Sequence, residues 1–352
     1  MEKYIAKFAS ITGEKQTEII SVELPELEPD EVLLKMEKIN ICTTDYQHWM
    51  GLRNHYGFPK AEGHEYSGII IAKGCDVGPE LEIGDRVSAG YRGCGYCPAC
   101  LEGNPDECKN VDATNVRYAP EIKGGKAFAN YKILNSRQAV KISKDIPASE
   151  AAFLEPVSTA VECARRARIE PAQNVVILGA GTMGIVNAQV AKAYGARVII
   201  TEVSEKKIAR AKSMGFAEVI NSKEVDPVEA VKALTDGVGA DIVIACVGNT
   251  FAYKQGMGML REKRGKFIIF PAGYPKPELE VDPNQIHYRK MEIIGSYGSN
   301  QYDYFIASKL LSYKLVNMSY ALEGKEYKLD DIQNAFAAAS TPDTYRITVD
   351  LE

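Results

Sequence analysis

The alternation of apolar and polar positions changes character part-way along the chain. Before about residue 148, segments 31–37 and 66–72 have the length and the apolar or β-branched content of strands. Segment 81–87 has the pattern of a turn that enters another strand, and Gly and Pro separate these segments. The first part of the chain therefore predicts a β-barrel-like region.

Beyond residue 148, short apolar runs alternate with longer helical patterns. The predicted strands of this part lie at 174–178, 197–201, 241–246, 266–270 and 291–295. A helical pattern at 182–194 joins the first two, and this alternation of strand and helix is typical of a doubly wound parallel sheet. Helices are also predicted near 303–313 and 330–339. The last predicted strand, 345–351, has no obvious place in that sheet, so we expect the tail to return to the first domain.

Composition limits the function classes. A chain of 352 residues is long enough for two domains, and its hydrophobic share of 45%, charged share of 25% and net charge of −5 are those of an ordinary folded protein. This charge gives no reason to expect nucleic acid or an acidic membrane as a partner, so a small-molecule substrate is expected. The N-terminus has no apolar signal core, and no stretch reaches the roughly 18 apolar residues of a membrane span. We therefore expect a cytoplasmic protein.

A glycine-rich turn follows the strand at 174–178 and precedes a helical pattern. Its sequence is Gly179-Ala180-Gly181-Thr182-Met183-Gly184. In a dinucleotide-binding turn, Gly179 permits the tight bend, Gly181 lets a pyrophosphate approach the helix N-terminus, and Gly184 lets helix and strand pack closely. The pattern therefore predicts that residues 179–184, including Thr182 and Met183 at the start of the helix, bind the pyrophosphate of a dinucleotide.

Glu202 stands at the end of the second predicted α/β strand, 18 positions beyond Gly184. A carboxylate at this point accepts hydrogen bonds from the adenosine ribose hydroxyls and repels a 2′-phosphate, and no arginine immediately follows it. Glu202 therefore indicates NAD rather than NADP. A solvated surface acid with no ligand is the alternative.

Four of the eight cysteines lie close together, within fifteen residues: Cys94, Cys97, Cys100 and Cys108. Such crowding, in a chain without a secretion signal, favours metal over disulfides. Four thiolates on a short segment rich in Gly and Pro, about residues 91–112, predict a closed tetrahedral zinc site that stabilises the fold. An iron–sulfur cluster with four cysteine ligands is the alternative.

A second set of metal-ligand residues is dispersed along the chain. Its members are Cys42, His64, Glu65 and Glu155. Thiolate, imidazole and carboxylate together can hold zinc and leave a position open for substrate, although manganese and cobalt also suit such a set. An open metal site beside a nicotinamide would act as a Lewis acid toward an alcohol, which is then oxidised by loss of a hydride.

In order and spacing, these motifs resemble the zinc-dependent medium-chain dehydrogenases, most closely the sorbitol (polyol) dehydrogenase branch. The resemblance covers essentially the whole chain. It rests on Cys42-Thr43-Thr44-Asp45, Gly63-His64-Glu65, the four-cysteine segment, Glu155-Pro156-Val157-Ser158, Cys163-Ala164-Arg165-Arg166 and the turn 179–184.

The resemblance implies an α/β protein with a GroES-like β-barrel catalytic domain, residues 1–150 and 291–352, and a Rossmann NAD-binding domain, residues 151–290. It implies that Cys42 and His64 bind the catalytic metal and that Glu65 is a ligand or an alternating one. Glu155 binds the metal directly or through water. Thr44 matches the hydroxyl residue that passes the substrate proton toward solvent. The family's tetramers and dimers imply a homo-oligomer.

Two positions depart from the family pattern. Gln47 stands where the family commonly has a histidine that completes the proton relay, and His48 is displaced by one position. Because a glutamine is not a base near neutral pH, the relay ends in water or uses His48 differently. Thr43 replaces the glycine that usually follows the cysteine ligand, which alters the expected shape of the pocket.

The leading hypothesis is a zinc-dependent, NAD-linked oxidoreductase that interconverts a secondary alcohol, such as a polyol or sugar alcohol, and its ketone by hydride transfer. L-Threonine or a polyol phosphate is the alternative substrate on the same scaffold. The alternative from another class is a regulator that binds NAD and keeps the structural zinc without chemistry. About two metal ions per chain would favour the enzyme.

Overall fold

A computed structural model of the chain describes residues 3–112, 116–273 and 275–352. Its strands are β1 Ile5–Gly13, β2 Gln16–Glu23, β3 Glu31–Asn40, β4 Glu65–Lys73, β5 Arg86–Ala89, β6 Tyr131–Asn135, β7 Ala139–Lys141, β8 Asn174–Leu178, β9 Arg197–Glu202, β10 Val219–Asn221, β11 Ile242–Ala245, β12 Lys266–Ile269, β13 Glu292–Gly295, β14 Leu322–Lys328 and β15 Arg346–Asp350. Its α-helices are α1 Thr43–Trp49, α2 Pro98–Leu101, α3 Ala148–Ala151, α4 Leu154–Ala167, α5 Thr182–Ala193, α6 Glu205–Ser213, α7 Pro227–Leu234, α8 Thr250–Met259, α9 Pro283–Arg289, α10 Gln301–Ser312 and α11 Ile332–Ala339. None of the helices in this described part combines the length and apolar character that a bilayer crossing needs.

The chain divides into two compact units. Residues 1–158 and 299–352 form the first, and residues 159–298 form the second. Both predicted boundaries, at 150 and at 290, therefore lie too early in the chain. The first unit includes the start of α4, up to Ser158. The second boundary is wrong because β13 pairs in parallel with β12 and so belongs to the parallel sheet.

The first unit is built on a sheet with the order β14-β15-β3-β4-β5-β7, to which β6 adds by pairing with β3, while β1 and β2 form a separate hairpin. Strand β3 is central, with neighbours on both sides, and its pattern of buried residues is nearly continuous because both faces are covered. Strand β15 pairs antiparallel with β3. The tail of the chain therefore returns to the first unit.

The second unit is a six-stranded parallel sheet in the order β10-β9-β8-β11-β12-β13. The central strand β8 is apolar after its first residue, and its last four residues are buried, as expected for a parallel strand covered by helices. In this order the chain begins at β8, runs outward to β10, and then crosses back to β11. Such a reversal leaves a crevice at the carboxyl ends of β8 and β11, where sheets of this kind bind ligands.

Candidate functional site

Cys42, His64 and Glu65 lie together where β3 ends and β4 begins. Asn40, at the end of β3, is the partner of Glu65 across the two strands, and Cys42 is the N-cap residue of α1. One ligand atom from each of the three side chains lies within 4.8 Å of the other two. Cys42 and the adjacent pair His64 and Glu65, more than twenty positions further on, thus present a thiol, an imidazole and a carboxylate to one point.

Asp45 contacts two members of this cluster, Cys42 and His64. One oxygen of its fully buried carboxylate accepts a hydrogen bond of 2.8 Å from the Cys42 backbone N–H. The other, Oδ1, lies 3.5 Å from Nδ1 of His64 and has no other partner in the part of the chain that the structure describes. Burial lowers the pKa of His64, but Asp45 and Cys42 raise it well above its ordinary value. A histidine held through Nδ1 presents Nε2 to a cation, so this donor set fits a metal ion.

Arg346, on the last strand, pairs with Glu65. Its Nε and a terminal nitrogen donate to both carboxylate oxygens at 2.8 and 2.7 Å, and the same terminal nitrogen lies 3.4 Å from Cys42 Sγ. Both side chains are almost completely buried, at 8% and 1% exposed. Glu65 is therefore held by a guanidinium in this structure, and it can reach a metal only by giving up part of this pair.

Replacing Arg346 by methionine separates these two roles of Glu65. Because an unpaired buried carboxylate remains, we expect the free energy of unfolding of the metal-free protein to fall by about 3–5 kcal/mol. Zinc should instead bind more tightly, since a positive charge leaves and Glu65 becomes available as a ligand. Urea unfolding and competition with a chelator measure the two effects.

Arg86→Met is the matched control, because Arg86 forms the same two-bond pair with Glu37 away from the cluster. It should destabilise the protein without changing its zinc affinity. Unchanged or weaker zinc binding in Arg346→Met would mean that Glu65 has no access to the metal.

Glu155 lies near the cluster but outside it. It stands in the first turn of α4 and is not one of the three residues whose ligand atoms meet. Together with His64 and Tyr304 it lines a cavity of about 320 Å³ in the first unit. Burial raises the pKa of Glu155, while His64 lowers it and Glu65 raises it. The structure thus places Glu155 beside the metal-ligand cluster, at the cavity wall.

Thr44 and His48 both lie on α1 but have different surroundings. Thr44 is partly exposed, whereas His48 is only 2% exposed. Nδ1 of His48 lies 3.2 Å from Lys60 Nζ and 3.3 Å from an oxygen of Glu62. Burial and Lys60 lower the pKa of His48 to about 4. His48 is therefore neutral near neutral pH, and its Nδ1 contacts Lys60 and Glu62.

The four clustered cysteines converge as well. Their Sγ atoms all lie within 4.8 Å of one another, and all four are free thiols. Two of them, Cys97 and Cys100, lie at the start of α2 and within it. Desolvation raises the pKa of Cys94, but N–H donors from Tyr96 and Asn110 lower it to about 6. Four sulfurs, one of them readily ionised, fit a closed tetrahedral metal site.

The glycine-rich turn joins β8 to α5, and the backbone of the turn packs too closely on the start of the helix for larger residues. Gly179 has a φ of +92°, and a Cβ at Gly184 would overlap the Gly179 carbonyl oxygen. By contrast, a Cβ at Gly181, the N-cap residue of α5, would have no atom within 4 Å. The N-terminus of α5, with Thr182 and Met183 in its first turn, therefore faces open space that an anion can enter.

Glu202 is the last residue of β9 and reaches back to this turn. One of its carboxylate oxygens accepts from the Ala180 N–H at 2.7 Å, and the other accepts from the N–H groups of Val203 and Ser204. These hydrogen bonds hold the carboxylate at the end of β9, beside the entry to α5. This is the position from which an acid meets an adenosine ribose in a sheet of this order.

Comparison with known proteins identifies the family. Residues 28–144 match the model of the alcohol dehydrogenase GroES-like domain, and residues 182–312 match that of the zinc-binding dehydrogenases. The sorbitol dehydrogenase of Halalkalibacterium halodurans is 30% identical over 92% of this chain and 93% of its own length. The chain belongs to the zinc-dependent medium-chain dehydrogenases, in their polyol dehydrogenase branch.

Other members of this dehydrogenase family are similarly related. The L-threonine 3-dehydrogenase of Chelativorans is 30% identical over 94% of both chains. The crystal structure of benzyl alcohol dehydrogenase from Acinetobacter calcoaceticus is 27% identical and superposes with a TM-score of 0.86, covering 99% of this chain and 100% of that one. The protein is therefore an enzyme of the zinc alcohol dehydrogenase family, and its predicted fold class is confirmed.

Two residues of this medium-chain dehydrogenase were assigned no role by the sequence. Asp45 was visible in the motif that begins with Cys42, and its position three residues after an N-cap is typical of a capping box. Arg346 lies 281 residues from Glu65, and its segment carries no recognisable motif. Only the pairing of β15 with β3 brings this arginine to the cluster.

Proposed function

We propose that the enzyme oxidises a secondary alcohol, of the polyol or sugar-alcohol class, to its ketone with NAD as the hydride acceptor. The observation that carries this proposal is the convergence of Cys42, His64 and Glu65 at one point, beside a cavity that Glu155 also lines. A thiolate and an imidazole with nearby carboxylates leave a coordination position for substrate, whereas the four-cysteine site leaves none.

In this proposal Cys42 and His64 hold a catalytic zinc ion, with Glu155 or Glu65 as the further ligand. When bound, the zinc ion supplies Lewis acidity that lowers the pKa of the substrate hydroxyl. Asp45 fixes the orientation of His64. Arg346 binds the carboxylate of Glu65, which becomes a metal ligand only when part of this pair is released. Thr44, partly exposed at the start of α1, passes the hydroxyl proton toward solvent. Because burial and Lys60 lower the pKa of His48 to about 4, His48 is a weak proton acceptor near neutral pH, and water rather than His48 ends this relay.

The test is a panel of polyols and L-threonine with zinc-loaded protein, followed by the absorbance of NADH. We expect turnover of at least one secondary alcohol and none after removal of the loosely bound metal. L-Threonine belongs in the panel because an L-threonine 3-dehydrogenase is among the relatives. Absence of turnover with every compound would favour a regulator that binds NAD, in which the same metal cluster performs no chemistry.

The preference for NAD is a separate prediction about Glu202. Replacing Glu202 by alanine removes the carboxylate that would accept ribose hydroxyl hydrogen bonds, so the Kd for NAD should rise by about tenfold or more. The Kd for NADP should stay the same or fall, since repulsion of its 2′-phosphate is lost. Titration of both cofactors, followed by fluorescence, measures these constants.

Glu205→Gln is the control for this change, because Glu205 is an exposed acid in the first turn of α6, three residues further on. It should leave both constants nearly unchanged. If the ratio of the Kd values for NAD and NADP is the same in Glu202→Ala as in the unmodified enzyme, Glu202 does not contact the adenosine ribose.

A further inference from the structure

The cavity beside Glu155 and His64 is also lined by residues of β6, of β4 and of the segment before β6, which together form its second wall. Lys132 on β6 lines this wall, and so do Tyr118 and Tyr66. All three side chains are buried, with only 7%, 4% and 3% of their surface exposed. This second wall thus contains a lysine amino group and two phenols.

Lys132 lies at a buried position of β6 whose neighbouring side chains are apolar. Its neighbour across the strands is Leu34 of β3, and Leu134, on the same face of β6, belongs to the main hydrophobic core. A lysine at such a position is costly to bury unless an anion compensates its charge. Its presence in the core therefore requires an explanation beyond packing.

No carboxylate of the described residues compensates this charge. Lys132 Nζ donates to the Gly125 carbonyl oxygen and lies 5.7 Å from the ring centre of Tyr66. Burial lowers the pKa of Lys132 to about 7, and the only charged neighbour that contributes is Lys126, which lowers it further. The Gly125 carbonyl oxygen is the one hydrogen-bond acceptor of Nζ among the described residues, and an anion in the cavity would favour the charged form of Lys132.

Tyr118 provides an independent observation at the same wall. Its hydroxyl group is buried and has no hydrogen-bond partner within the described residues. A buried hydroxyl without a partner costs free energy, and native proteins keep such groups mainly where a ligand, ion or water meets them. Tyr66 lies close enough to Tyr118 for the two phenols to influence each other. The Lys132 amino group and the Tyr118 hydroxyl at this wall can thus donate hydrogen bonds to a ligand.

The backbone links this wall to the metal-ligand cluster. Gly125, which accepts from Lys132, packs so closely on Gly63 that a Cβ at Gly125 would lie 2.8 Å from the Gly63 carbonyl oxygen. Gly63 directly precedes His64, and all four residues line the same cavity. A ligand of the size of a small sugar alcohol can therefore contact both walls, since pockets of about 300 Å³ suit small metabolites.

We propose that Lys132, Tyr118 and Tyr66 form an oxyanion subsite, so that the alcohol this enzyme oxidises carries a carboxylate or phosphate group. The inference rests on the proposed function, because it assigns the far end of that enzyme's substrate. Charge-assisted hydrogen bonds from a buried ammonium are the strong kind, and an anion of the substrate would satisfy donors that the protein leaves free. The subsite therefore selects anionic over neutral alcohols.

Kinetics with three compounds of one carbon skeleton test this selection: sorbitol, sorbitol 6-phosphate and gluconate. One anionic compound should have a kcat/KM at least about thirtyfold above that of sorbitol, and the better of the two identifies phosphate or carboxylate as the group bound. Lys132→Met should abolish this preference by raising KM for the anion much more than KM for sorbitol. Equal or better use of sorbitol by the unmodified enzyme would overturn the inference.

Binding of inorganic phosphate, measured by calorimetry on zinc-loaded protein, separates this inference from the proposed function because it needs no turnover. The Kd should rise by about thirtyfold in Lys132→Met. Lys126→Met is the matched control, since Lys126 is also a buried lysine but does not line the cavity. Because its charge lowers the pKa of Lys132, its removal should leave phosphate binding as strong as before or strengthen it. Phosphate binding that depends on Lys132 would support the subsite even in a protein that oxidises no alcohol. Binding that is equally strong in Lys132→Met would contradict it.

Tyr118→Phe gives a second measurement if Lys132→Met does not fold. It removes a hydroxyl that has no hydrogen-bond partner among the described residues, so the melting temperature should not fall. Affinity for phosphate should nevertheless decrease by about fivefold, the worth of one hydrogen bond. An unchanged affinity for phosphate would exclude Tyr118 from the subsite, and its hydroxyl would then have to be satisfied by a water molecule.

Discussion

Replacing Cys42 by serine should remove one of two bound metal ions and lower kcat/KM by about a thousandfold or more. Cys42 contributes the thiolate of the three-residue cluster, and His64 and Glu65 cannot form an equivalent site without it because Glu65 is held by Arg346. Without the metal, the substrate hydroxyl keeps its ordinary pKa and stays protonated, so the carbon that bears it does not release a hydride. Mass spectrometry of the native protein and steady-state kinetics measure the two losses.

Cys75→Ser is the control for this variant, because Cys75 is exposed and belongs to neither cluster of metal-ligand residues. It should retain both metal ions and full activity. Retention of two ions in Cys42→Ser, or activity within a few fold of the unmodified enzyme, would show that the reaction does not depend on a metal at Cys42.

The second large effect concerns stability. Cys100→Ser leaves the four-cysteine site with three thiolates, and a structural zinc site contributes its binding free energy directly to folding. We expect the melting temperature to fall by about 10 °C or more and the remaining metal content to be one ion per chain. Differential scanning calorimetry and metal analysis measure this result.

At a temperature where Cys100→Ser is still folded, it should retain most of its turnover, because the cluster of Cys42 and His64 is intact. Cys75→Ser again serves as the control and should melt like the unmodified protein. If Cys100→Ser melts at the same temperature, the four thiols hold no structural metal. If the absorption spectrum of the unmodified protein shows iron–sulfur charge transfer, the metal is not zinc.

Five of the six strands of the parallel sheet were predictable because each is a short apolar run, and buried parallel strands leave little choice of pattern. The three-residue edge strand β10 was not predicted, because so short a segment shows no pattern. Strand β13 was recognised as such a run, yet the domain boundary was placed before it. Its burial is only partial, so the sequence did not reveal on which side of the boundary it lies. Pairing with β12 decides this, and pairing is a tertiary property.

Those parts of the candidate site whose residues lie close together in sequence were the easiest to predict. The four cysteines lie within one short segment, and their spacing alone suggests a metal. The assignment of Cys42, His64 and Glu155 to one site depended on a family resemblance, and their metal binding remains a prediction. Arg346 and Lys132 gave no signal, because a cation on a strand is ordinarily solvated and only the packing of neighbouring strands shows that these two are buried.

The most direct measurement is X-ray diffraction from crystals grown with zinc, recorded on both sides of the zinc absorption edge. The anomalous difference map should contain two peaks per chain. One should lie among the sulfurs of Cys94, Cys97, Cys100 and Cys108, and the other within bonding distance of Cys42 Sγ and a ring nitrogen of His64. A map in which the only peak lies among the four cysteines would contradict the proposed catalytic metal.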